Sequence, residues 1–162
     1  MPAQRHAPVA TGVGTPTADR ITIMIVYEDY LTCLVAERAF ERVAARLSQD
    51  GDLYLTMRSF DVLAIPALAS LAAEEACASD LVLFSVYRSG PWPRPMKKWM
   101  DLLGDGELGV QRGGLAALLV KPRRKERTRA GAAGKRQALL EHLARLSGRD
   151  FFFARDIDWR LT

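Results

Sequence analysis

The chain has 162 residues, 49% of them hydrophobic and 26% charged, with a net charge of +4. That length and balance fit one globular domain able to bury a sizeable core. No apolar run approaches the ~20 residues of a membrane span. Arg5 and His6 precede no apolar stretch, so a secretory leader is not expected and the expected compartment is the cytoplasm.

Residues 1–19 are rich in Ala, Pro, Thr and Gly without a hydrophobic period, and read as a flexible tail before a domain at 20–162. "ITIMIVY", 21–27, is β-branched and apolar throughout, the pattern of a fully buried strand. Over 31–48, Cys33, Ala36, Phe40, Val43 and Leu47 recur at spacings of three and four, which predicts an amphipathic helix facing inward through those residues. "QDGD" at 49–52 ends it. "LYLTMRSF", 53–60, mixes Thr56 and Arg58 into a strand pattern and belongs nearer an edge. Pro66 suits the first turn of a helix over 66–77. "LVLFSVY", 81–87, is a third strand, followed by a helix over 95–103 and a fourth strand, "LAALLV", at 115–120. A helix over 134–147 turns Leu139, Leu143 and Leu146 inward and stops at Gly148. "FFFA", 151–154, is a fifth strand. Cys33 and Cys77 lie inside helical patterns, far from metal-ligand spacing, and are expected as buried reduced thiols.

Apolar strands alternating with helices predict a parallel sheet covered on both faces. With right-handed crossovers the solution is a three-layer α/β/α, flavodoxin-like domain: a five-stranded parallel sheet of order 2-1-3-4-5. Ligands in that arrangement sit at the carboxyl ends of the strands, so loops 27–32, 87–94 and 121–134 form the candidate edge. Only eight residues follow the last strand, so the final helix of that arrangement is not expected. One sheet face is then covered by the first helix alone, which predicts a homodimer or another cover over strands three to five.

The stretch "LVLFSVYRSGPWPRPMKKWMD" resembles the NADPH-dependent FMN reductases of the flavodoxin-like superfamily. Tyr87 stands at the family's strand-end tyrosine, and Lys97 and Asp101 at its helix pair. The resemblance covers 21–150. It implies an NAD(P)H-dependent flavin or quinone reductase with FMN as cofactor and NADPH as co-substrate. Tyr87, Arg88, Ser89, Gly90, Thr32 and Trp92 would then be the cofactor contacts, and a small planar or anionic ligand would sit at the carboxyl edge. The flavin would perform the redox chemistry, so no protein residue is assigned as catalytic. The family's glycine- and hydroxyl-bearing phosphate loop is replaced here by "YEDYLTC", with Glu28 and Asp29 where the phosphate would sit. Two carboxylates there repel a dianion by on the order of 1–4 kcal/mol each. The alternative is a non-catalytic module, receiver-like or oligomeric, that has lost flavin phosphate binding.

Glu28 and Asp29 also resemble the Mg²⁺-holding acidic pair of response-regulator receivers, although Ser85 stands where the phosphoacceptor carboxylate would be. They equally suit the N-terminus of a helix. Trp92 either caps a ring or buries at an interface. Lys97 and Asp101 are also what a surface ion pair looks like. His142 is expected to face solvent. Charge is uneven along the chain: residues 1–80 carry net −5 and residues 81–162 net +9, mostly from 121–136. Arg123, Arg124 and Lys125 there are candidates for an anion contact, or for a solvated loop. With no aromatics interleaved, the run does not predict nucleic-acid binding.

Overall fold

The computed structural model describes residues 20–47, 52–106, 111–122 and 134–160. The N-terminal segment 1–19 and the basic residues Arg123, Arg124 and Lys125 lie outside that set. The element order is β1 (Ile21–Tyr27), α1 (Tyr30–Leu47), β2 (Leu53–Ser59), α2 (Phe60–Leu63), α3 (Pro66–Ala78), β3 (Leu81–Tyr87), α4 (Arg94–Gly104), β4 (Gly114–Val120), α5 (Lys135–Ser147) and β5 (Asp150–Ile157). All strands pair parallel in the order β2-β1-β3-β4-β5, as the alternation of strands and helices requires.

The two sheet faces are unequal. Met24, Val26, Val82, Phe84, Val86, Leu115, Ala117 and Leu119 point into one core, under α2, α3, α4 and α5. Ile23, Ile25 and Leu83 point the other way and meet Ala36 and Phe40 of α1. Among the described residues no second helix joins α1 on that face. Leu81, Ala116 and Leu118 are only half-buried there, and Phe152 of β5 is 58% exposed.

Several local expectations need correction. Val43 of α1 is 45% exposed rather than inward. The covered stripe of α1 runs instead through Thr32, Val35, Ala36, Phe40 and Ala44. Leu146 of α5 is 56% exposed. The buried stripe of that helix runs instead through Arg136, Leu140, Leu143 and Ser147. Gly148 ends α5 in the left-handed conformation, φ 71°, as a stop glycine should. A short helix, α2, intervenes after β2, capped by the Ser59 hydroxyl, which accepts from the Val62 amide at 3.3 Å. Strand β5 runs on to Ile157, past a register shift against β4. Both cysteines are free and half-buried rather than fully enclosed.

Candidate functional site

The parallel order brings the β1–α1 loop, the β3–α4 loop and the start of α5 to the carboxyl edge. Their meeting point is the guanidinium of Arg136, only 2% exposed. It donates to both carboxylate oxygens of Glu28, Nη1 to Oε2 at 2.7 Å and Nη2 to Oε1 at 3.2 Å. Its remaining donors go to the carbonyls of Tyr87 at 3.0 Å, Gly90 at 2.9 Å and Pro91 at 2.7 Å. The group also lies 4.7 Å from the Trp92 ring centroid. Gly90 adopts φ 112°, which L side chains avoid, and a Cβ there would stand 3.5 Å from Arg136 Nη2. The β3–α4 loop is therefore folded around this arginine.

The β1–α1 loop is closed by its own side chains. Asp29 caps α1: its Oδ1 accepts from the amides of Leu31 and Thr32, both at 3.0 Å. The Thr32 hydroxyl accepts from the amides of Glu28 at 3.0 Å and Asp29 at 2.9 Å. The Cys33 amide reaches the Asp29 carbonyl at 2.9 Å. Tyr87 donates its phenol to Asp29 Oδ2 at 2.8 Å and its amide to Glu28 Oε2 at 3.1 Å.

A flavin phosphate does not fit these residues. The amides of Glu28, Asp29, Leu31, Thr32 and Cys33, which would cradle a dianion at the helix N-terminus, already have acceptors. The Asp29 carboxylate occupies the position of the anion. Arg136 is neutralised by Glu28 and cannot serve as a counter-charge.

The other expected contacts are spent on the fold as well. Thr32 is fully buried, and its hydroxyl also donates to the Asp29 carbonyl. The Trp92 ring, 9% exposed, packs between Phe60, 6.0 Å away by centroids, and Arg136. Arg88 turns to β5 and pairs with Asp156, which is held at φ 58°. Ser89 is buried, and its Oγ and Trp92 Nε1 have no hydrogen-bond partner. Glu28 is taken by Arg136 and Asp29 by the first amides of α1, and each also accepts a hydrogen bond from Tyr87. Ser85, at the receiver's phosphoacceptor position, is fully buried and donates to the Thr32 carbonyl at 2.6 Å. Lys97, Asp101 and His142 are exposed. Among the described residues no group of three or more His, Cys, Asp or Glu stands where it could hold a metal, and no helix is long and apolar enough to cross a membrane.

Sequence reasoning missed Arg136, which it counted within a basic run. The signal was present: positions 136, 140, 143 and 147 share one helical face, and three of them carry small or apolar side chains.

No protein-family model matches the chain, and no curated protein matches it by sequence. Among solved structures, it is similar to a short-chain flavodoxin associated with a non-canonical PDU bacterial microcompartment, at 12% identity and TM-score 0.57, with 85% of each chain covered. A flavodoxin from Streptococcus pneumonia TIGR4 is similar at 12% identity and TM-score 0.50, covering 85% of this chain and 86% of that one. At such identities the likeness is one of fold: the chain has the flavodoxin-like architecture, in five parallel strands of order 2-1-3-4-5.

Proposed function

We propose that this chain is a non-catalytic interaction module, a flavodoxin-like sheet whose flavin edge has become an internal polar lock and which works by self-association. The observation that carries this reading is the closure of the β1–α1 loop, where Asp29 and Thr32 take the amides an anion would use.

The dimer reading rests on the exposed aromatic edge strand β5. Asp150 donates its amide to the Gly113 carbonyl, so Asp150 and Phe152 turn their backbone groups toward β4, and Phe151 and Phe153 turn theirs outward. An antiparallel second copy about a twofold axis normal to the sheet pairs Phe152 with itself, and Phe151 with Phe153. Every central cross-strand pair is then aromatic, each worth roughly 0.2–1 kcal/mol. A long, exposed, aromatic edge is what monomeric proteins avoid.

The test has two arms. FMN titrated to tens of micromolar should leave flavin fluorescence unchanged, and light scattering should give a dimer that Phe152→Glu converts to monomer. Quenching of flavin at low micromolar concentration, or a wild-type monomer at tens of micromolar protein, overturns the reading.

A second reading, the NAD(P)H-dependent flavin reductase, draws on the unsatisfied Ser89 Oγ and Trp92 Nε1 in the β3–α4 loop, which leave polar valence there for a planar ligand. It requires flavin binding without a phosphate cradle, and the same titration decides it.

A further inference from the structure

A separate cleft lies on the helical face, between α2–α3 and α4, with a volume of about 440 Å³. That is within the range of small-molecule sites. Its floor is apolar: Leu63 and Trp99 are almost fully buried. The Trp99 indole N–H is already given to the Ala69 carbonyl at 3.1 Å, so the floor offers no donor. The rim is exposed and carries Leu102 with two cations, Arg94 and Lys98. Among the described residues no carboxylate lines the cleft.

Arg94 and Lys98 stand four apart on one side of α4, close enough to repel each other. They also sit in the first turns of that helix, where the backbone dipole disfavours positive charge, and no acidic residue occupies the first turn. Neither is ion-paired with another described residue. Two cations without a described ion-pair partner over an apolar floor define a complementary ligand with an apolar body and one negative end.

We propose that this cleft binds a small anionic amphiphile, an aliphatic or aromatic monocarboxylate, with its hydrocarbon against Leu63, Ala69 and Trp99 and its carboxylate between Arg94 and Lys98. A cationic or doubly polar ligand does not fit. None of its lining residues belongs to the β1–α1 loop, and the proposal does not depend on the dimer reading.

Decanoate is a suitable probe, with decylamine as the charge-reversed control. Binding is followed by calorimetry and by the Trp99 indole N–H resonance, with the far-UV spectrum confirming the fold of each variant. Decanoate should bind and shift that resonance, and decylamine should not. The exposed double change R94E/K98E should weaken decanoate at least about tenfold, since each charge-assisted hydrogen bond is worth a factor of that order. Ser70→Trp, at the rim, should block the cleft without altering charge. No shift at Trp99, equal binding of decylamine, or full affinity in R94E/K98E overturns the proposal.

Discussion

Two arginines bracket α5, and both are buried, yet they are neutralised in different ways. Arg136 lies in the first turn of the helix, where the dipole opposes a positive charge, and it holds a carboxylate, Glu28. Arg149 lies just beyond the last turn and has no carboxylate in contact among the described residues. It donates to the carbonyls of Ala76 at 2.7 Å, Ser79 at 2.9 Å and Gly114 at 3.1 Å, and to Gln111 Oε1 at 3.0 Å. Ala76 and Ser79 stand at the C-terminal end of α3, Gly114 opens β4 and Gln111 lies in the loop before it, while the Arg149 amide bonds the Ala144 carbonyl of α5. The negative C-terminal end of α3 thus stands where a counter-ion would. Burial pulls the Arg149 pKa below the ordinary guanidinium value, while the nearby Cys77 and Asp80 push it back up. A buried guanidinium needs either an acid or enough aligned carbonyls, and the end of the helix decides which. The acid-based solution consumes the ligand edge, and the carbonyl-based solution staples the opposite edge of the sheet.

The difference can be broken most severely at Glu28. Glu28→Gln should cost about 3 kcal/mol in urea unfolding, because it leaves Arg136 charged, buried and facing a positive helix end. The double variant Glu28→Gln/Arg136→Met should recover much of that loss. A double variant no better than the single would mean that packing, not charge, sets the cost. At the other edge no single carboxylate can be removed, so the equivalent change is smaller. Gln111→Leu should cost about 2 kcal/mol, through one charge-assisted bond to Arg149 and the bond from Gln111 to the Leu103 carbonyl at 2.8 Å. A loss at Gln111 equal to that at Glu28 would erase the distinction. Asp29→Ala, which uncaps α1, should cost about 1 kcal/mol. Inorganic phosphate should then stabilise this variant, measured as a rise in Tm, while leaving the wild type unmoved. Equal phosphate effects on both would show that Asp29 does not fill the anion position.

The sheet was legible because its strands are short apolar runs separated by helical periods, and the order of a parallel sheet follows from handedness. The carboxyl edge was legible for the same reason. The roles of its residues were not. "YEDYLTC" shows acids in place of glycine, but whether Asp29 repels a ligand or replaces one depends on where it points, and only the cap on Leu31 and Thr32 settles that. Trp92 between two prolines reads as a ligand cap or an interface residue, and its packing between Phe60 and Arg136 is visible only in the structure. Arg136 was hidden because a guanidinium in a basic run looks solvated, and its partner lies 108 residues away. Short-range pattern carries periodicity well and long-range charge pairing poorly.

The smallest effect, at Cys77, reports on Arg149 directly. Burial raises the thiol pKa, and the positive charge of Arg149 lowers it. In the unfolded chain the thiol loses its proton near the ordinary value of about 8.5, while the folded chain holds it longer. From about 8.5 up to the native value the folded state therefore binds more protons, and stability falls as pH rises through that window. Below it both states are protonated and the thiol contributes no pH dependence. In a Cys33→Ser background, the rate of iodoacetamide alkylation should rise with a midpoint above the ordinary thiol value. Arg149→Lys, which keeps the charge, should leave the midpoint nearly in place. Arg149→Met should move it further up, provided circular dichroism confirms that the variant is folded. Because the thiolate is stabilised by whatever charge Arg149 retains, an unmoved midpoint in Arg149→Met would mean that Cys77 does not feel the guanidinium. The carbonyl cage would then be holding a group whose charge is already fully compensated.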